Sequence, residues 1–204
     1  MTALINDPYL QRRLIRRRRA WGADRYDEVW DGVYVMNAMP NNEHQDLVSR
    51  LTYICQHVIV DPGLGKVQAG CNVSDRATQW RRNYRVPDVA VFLNDTSAVN
   101  KRSHWYGGPD LAIEIVSPHD RSRDKLEFYA RVGTHELLII DRAPWSLELY
   151  RLTTGTLTRV GRSTVDQPEH LQTEVVPLTW CLVRSEERPM VEASRSDGSQ
   201  SWQA

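Results

Sequence analysis

Apolar positions alternate with polar ones in several short stretches of the chain and recur at three- and four-residue intervals in two others, and these two periods set the expected architecture. VPDVAVFL (86–93) and DLAIEIV (110–116) are strand-like. In the second, Leu111, Ile113 and Ile115 share one face, and Ala112, Glu114 and Val116 the other. HELLIID (135–141) is a continuous apolar strand, and SLELYRL-TTG-TLTRVGR is a hairpin. Near the N-terminus, DEVWDGVYV alternates about Asp31-Gly32, a dipeptide that favours a tight turn. GKVQAGCNV (65–73) and LQTEVVPLTWCLV (171–183) supply further short extended elements.

The helical period appears first in NNEHQDLVSRLTYICQHVIV, where His44, Leu47, Val48, Leu51, Cys55 and Val58 fall on one face. Asn41 or Asn42 caps this helix, and Asp61-Pro62-Gly63 ends it. It appears again in SRDKLEFYARVG, closed by Gly133, and Ser117–Asp120 has the form of a helix-capping box. The segment 94–108 is a polar loop between strands. Strand, strand, helix, strand is the order of a mixed sheet flanked by helices, an α/β (α+β) fold. The expected organisation is a basic N-terminal helix or arm (1–24), one domain (25–184), and a polar, flexible C-terminal tail (185–204).

Composition narrows the function classes. The chain has 204 residues, enough for one sizeable core, and its formal net charge is zero. That balance gives no support for a protein that coats nucleic acid or anionic lipid indiscriminately. It hides a local excess, because six arginines fall between Arg12 and Arg19. Arg16, Arg17, Arg18 and Arg19 are candidates for contact with a phosphate backbone, although a solvated arm or an oligomer contact fits the same residues. Cys55, Cys71 and Cys181 lie far apart without a C-x-x-C pair, which argues against a disulfide framework and a structural zinc. No apolar run approaches the length of about eighteen residues expected of a membrane span. A cytoplasmic location and no membrane partner are expected.

Glu114 is the anomaly in this pattern. A bare carboxylate in an apolar strand is costly unless a cation compensates it or it takes a proton. Asp88 occupies the matching face of the preceding strand, so the two carboxylates meet if the strands pair. Such a pair repels unless a proton or a divalent cation lies between them, and magnesium (or manganese) accepts one or two carboxylates together with water and substrate phosphate. Lys125 falls on the helix edge shared with Phe128, Tyr129 and Val132, a short return from Glu114. There it could position a water and offset charge on a phosphoryl transition state. Each residue also has a structural reading: Asp88 as a strand-start residue, Glu114 as the partner of a buried arginine, Lys125 as a lysine that snorkels beside its helix.

The ordered set VPDVAVF, PDLAIEIVSP and RDKLEFYARVGTHELLIID resembles the Uma-two family of predicted endonucleases, members of the PD-(D/E)XK restriction-endonuclease-like superfamily. The flanking DEVWDGVYVMNAMPNNEHQ and LQTEVVPLTWCLV are also similar to the family pattern, so the resemblance covers most of residues 25–183. It implies a mixed sheet flanked by helices and divalent-metal-dependent phosphodiester cleavage. Asp88 and Glu114 would then be metal ligands and Lys125 the catalytic lysine, with DNA as the substrate and Mg2+ or Mn2+ as the cofactor. Glu28 matches a glutamate usual in the family, and Glu43 or His44 at the start of the long helix could stand near the metal, although a capping or core role fits His44 as well. In the superfamily's basic motif the lysine sits two residues after the glutamate, where this chain has Val116. The role must therefore have moved to Lys125. The competing expectations are a catalytically silent fold that binds nucleic acid or a protein, and a carboxylate pair used for acid/base chemistry as in glycoside cleavage. Exposed edge strands would allow a homodimer.

Overall fold

The computed structural model describes residues 3–117 and 121–204. It opens with β1 (Ala3–Ile5) and α1 (Pro8–Ala20). Asp7 caps α1 by accepting from the Leu10 amide at 2.7 Å, with Pro8 in the first turn and Arg17, Arg18 and Arg19 in the last, where cations suit the helix dipole. β2 (Glu28–Trp30) and β3 (Val33–Met36) form the expected hairpin. Asp31 and Gly32 both take positive φ, 46° and 91°, as its turn demands. α2 (Asn42–Cys55) follows, with the Asn41 side chain accepting from the His44 amide as its cap. A π turn over Gln56–Val60 extends it to Asp61.

β4 (Gly65–Ala69), β5 (Val73–Ser74), β6 (Tyr84–Arg85) and β7 (Val89–Leu93) come next. The segment expected to be a polar loop carries two short strands, β8 (Val99–Asn100) and β9 (Trp105–Tyr106). They are too short to show a period, and Trp105 is held by stacking on Phe92 with ring centroids 3.7 Å apart. After β10 (Leu111–Ile115), a 3-10 turn over Ser122–Lys125 leads into α3 (Leu126–Arg131). The proposed capping box at Ser117–Asp120 runs into positions 118–120, outside the described residues. β11 (Glu136–Arg142), β12 (Trp145–Thr153) and β13 (Thr156–Thr164) complete the central strands. β14 (Leu171–Gln172), β15 (Leu178–Val183), β16 (Met190–Arg195) and β17 (Ser201–Gln203) close the chain.

Among the described residues the central sheet runs β13-β12-β11-β10-β7-β4. Its only parallel pair is β10 with β11, and every other neighbour is antiparallel. One face packs on α2 and the C-terminal sheet through Leu111, Ile113, Ile115, Leu47, Leu51 and Trp180. The other face, with Ala112 and Ala90, packs on Phe128, Tyr129 and Val132. The alternation expected of β10 is thus the alternation observed. A parallel pair cannot be joined by a tight turn and needs a crossover over one face. That crossover is the segment carrying the 3-10 turn and α3, and it lies on the Glu114 side.

The polar tail expected over 185–204 is a correction. β16 pairs with β15 along six positions and β17 pairs with β16. Val191, Ala193 and Ala204 are fully buried in the core cluster of Trp180 and Leu182. The polar residues of this stretch occupy the outer face, so composition suggested fraying while alternate apolar positions build a strand. Among the described residues no helix is long and apolar enough to cross a membrane.

Because β16 covers β15, deletion of residues 190–204 is expected to lower stability by at least about 3 kcal/mol, from loss of several buried apolar side chains. A thermal melt of the truncated chain checks this, since a frayed tail would leave the midpoint unchanged.

Candidate active site

The antiparallel register of β7 and β10 pairs Val89 with Ile113. One step further along the same register sets Asp88 opposite Glu114. Asp88 is anchored at that strand end by the Ile115 amide, which donates to its Oδ2 at 2.7 Å, and by His44, whose Nε2 lies 3.3 Å from Oδ1. His44 reaches it from the first turn of α2. The register thus carries Asp88 toward Glu114, and the Ile115 amide ties it there.

Glu114 is almost fully buried, and Lys125 Nζ lies 3.0 Å from its Oε1 and 2.9 Å from its Oε2. The same ammonium is 3.0 Å from Glu28 Oε1, and Tyr129 donates its hydroxyl to Glu114 Oε1 at 2.5 Å. Glu28 is itself fixed, accepting from the Val86 amide at 2.8 Å and from Trp30 Nε1 at 2.6 Å. Arg85, also buried, stacks over Phe128 at 4.2 Å and Trp30 at 4.7 Å. Three carboxylates (Glu28, Asp88, Glu114) therefore share one region with two cations, Lys125 and Arg85.

Burial pushes the Glu114 carboxyl up to about 8; Lys125 opposes this, Asp88 and Glu28 add to it by repulsion, and Tyr129 opposes it. Burial, reinforced by Glu114, drives the Tyr129 hydroxyl well above its ordinary value, so it stays protonated as a donor. The repulsion among the carboxylates is the condition that a bound cation relieves. Among the described residues no group of three or more His, Cys, Asp and Glu side chains is arranged to hold a metal ion. Magnesium needs only one or two carboxylates beside water and phosphate, and the hard oxygen donors of Asp88 and Glu114 fit that requirement.

Residues 20–184 match the Uma2 family, described as "Putative restriction endonuclease". The chain belongs to that family. No curated protein matches the chain. Among solved structures it is similar to one titled as a putative nuclease belonging to DUF820 from Anabaena variabilis ATCC 29413, with a TM-score of 0.56 and 18% identity. The match covers 72% of this chain and 80% of that one, and at this identity it shows the fold. The mixed-sheet, restriction-endonuclease-like architecture of the Uma2 family is therefore the architecture of this chain.

Other residues expected to serve a Uma2 site divide by location. Glu28 joins the centre through Lys125. His44 joins it through Asp88. Glu43 turns elsewhere, to a 2.8 Å ion pair with Arg142, which also donates to the Val116 carbonyl at 3.2 Å. Of the arginine run, Arg18 is turned inward: it bonds Asp27 at 2.5 Å and the carbonyls of Ala23 and Asn37, so its guanidinium is committed to the fold. Arg19 lies 3.3 Å from Asp24, and Arg17 stacks over Trp21 at 4.4 Å. Arg16 and Arg17 stay exposed.

Two residues of the centre were missed by sequence reasoning. Tyr129 stands one helical turn after Lys125 on the same face, a spacing that signals a shared target. Arg85 had no local signal, because its partners come from β2 and α3. The cysteines are thiols with no disulfide, and burial pushes Cys55 and Cys71 up to about 12, beyond any role as nucleophiles near neutral pH.

Since the folded Glu114 carboxyl is raised above its ordinary 4.5, its contribution to stability is fully present below that value and is lost as pH rises through about 8. Wild-type stability is expected to fall relative to Glu114→Gln across this window, by at most about 1.4 kcal/mol per pH unit. Urea unfolding at several pH values measures the difference. Lys125→Met is expected to cost about 3–5 kcal/mol at pH 8, where the buried carboxylates lose their cation, and less at pH 5.

Proposed function

We propose that the chain is a divalent-metal-dependent endonuclease that hydrolyses phosphodiester bonds of DNA. The observation that carries this reading is the register that sets Asp88 opposite Glu114, with the Lys125 ammonium 2.9 Å from the Glu114 carboxylate. Asp88 and Glu114 would hold the magnesium or manganese ion, which when bound supplies positive charge against the anionic phosphoryl transition state.

The chain's own residues set the geometry. The Ile115 amide and His44 fix the Asp88 carboxylate from two sides. Tyr129 and Lys125 orient Glu114, and Glu28 holds the ammonium in place from the β2 hairpin. Lys125 brings a positive charge to the edge of the reacting centre, where it offsets charge gathering on the phosphoryl oxygens and orients the attacking water. Hydrolysis breaks one P–O bond and leaves one phosphate end and one hydroxyl end. The exposed Arg16 and Arg17 suit contact with the backbone of a long substrate, a salt-dependent gain in affinity.

A second reading is a nuclease-like module that binds without cutting. It is favoured by the position of Lys125, whose ammonium is shared between Glu28 and Glu114 within the buried network.

Cleavage of plasmid and of single-stranded DNA with magnesium or manganese separates the two. Cleavage is expected for the wild type, with rates at least about 100-fold lower for Asp88→Asn and Glu114→Gln and a loss of similar order for Lys125→Ala. Unchanged activity in any of these variants removes that residue from the mechanism. A wild type inert with either metal leaves the binding reading.

A further inference from the structure

A cavity of about 270 Å³ opens beside Asp88, between α2 and the end of β4. Gln45, Ser49, Thr52 and Gln56 line one wall, spaced four, three and four residues apart, with Val48 and Tyr53 beside them, so a mixed polar and apolar face of α2 and its extension meets the opening. Tyr26 and Arg25 form the opposing wall, and the Gln45 amide donates to the Tyr26 hydroxyl at 3.2 Å. Arg25 and Tyr26 sit just after α1, in the segment whose end is pinned by the Arg18–Asp27 pair. His44 and Asp88 also line the cavity, which thus touches the candidate metal ligand from the α2 side of the sheet.

Three features describe an occupant. The volume lies just below the roughly 300–1,000 Å³ of pockets that enclose drug-sized ligands and is ample for one ring system. Its walls carry amides and hydroxyls that both donate and accept, the groups needed to meet the edge of a heteroaromatic ring. A line of aromatic rings also leads away from the cavity. Tyr53, at its rim and 59% exposed, stacks on His57 with an interplanar angle of 13°, and His57 meets Trp202 edge-on at 5.7 Å. Successive aromatic faces beside a phosphodiester site form a stacking platform for unstacked bases.

We propose that the cavity holds one unpaired nucleobase, which makes single-stranded or locally unpaired nucleic acid the substrate class of this site. The proposal rests on the nuclease reading, since it is Asp88 that joins the cavity to the reacting centre. A base seated against Gln45 and Tyr26 brings the adjoining phosphate toward Asp88, and its neighbours continue over Tyr53 and His57. A paired base cannot enter a cavity of this size while it remains in a duplex.

The test is binding, read separately from cleavage. Full-length Glu114→Gln in EDTA is titrated against dye-labelled single-stranded DNA, single-stranded RNA of the same sequence and the DNA duplex, by fluorescence anisotropy. At least one single strand is expected to bind about tenfold or more tighter than the duplex. Adding Thr52→Leu, which fills the cavity, or Tyr53→Ala, at an exposed position, should each weaken that strand about tenfold and leave the duplex unchanged. Equal binding of strands and duplex overturns the proposal. So does single-strand binding unaltered in both variants once circular dichroism shows them folded. Wild-type cleavage of plasmid and of the same labelled single strands, run in parallel with magnesium, separates the failures. Cleavage without the strand preference sinks the cavity assignment alone, whereas the preference without cleavage sinks the nuclease reading and leaves the cavity as a base-binding site.

Discussion

The rest of the centre depends on one buried ammonium. Lys125 bridges Glu28 from the N-terminal hairpin and Glu114 from the central sheet, and all three are nearly excluded from solvent. An isolated charge at such depth would be driven to its neutral form. Shared between two carboxylates and supported by Tyr129, the ammonium instead fixes where β2, β10 and α3 meet. Asp88 stands beside Glu114 with its own oxygens held by His44 and Ile115, so three carboxyl groups crowd two cations.

The strand topology explains why the lysine comes from a helix. β10 and β11 are parallel, so the chain must cross over one face of the sheet before returning. The Glu114 face is the one covered by that crossover, and a cation on its first turns lands on the carboxylate. Val116, two residues along β10 from Glu114, belongs to the same face and packs against the Phe128 cluster, where a charged side chain would displace apolar contacts.

Much of this was legible beforehand. The alternation in LAIEIV and VAVFL fixed which residues share a face, and the period of α2 named its core positions. Asp88, Glu114 and Lys125 followed from those faces and from family resemblance. Arg85 and the bond between Glu28 and Lys125 were not legible in the same way, since they join elements far apart in sequence and obey no local period. The inward turn of Arg18 is of the same kind: within a run of like charges nothing local says which arginine meets Asp27. The tail misled because its polar residues are the outer half of a strand, and alternation over six positions was overridden by composition.

α3 spans only six residues, Leu126–Arg131, too few to hold a helix in isolation. Its order therefore comes from Phe128 and Tyr129 settling onto the sheet, and that same docking delivers the ammonium to Glu28 and Glu114. Until it happens, β10 and β2 carry acids that resist leaving water; once it happens, both apolar contact and charge neutralisation arrive together. Half-assembled forms of this centre gain neither benefit. Formation of the buried Glu28–Lys125–Glu114 network is thereby tied to the docking of α3, and a chain that has not closed around α3 lacks it as a whole.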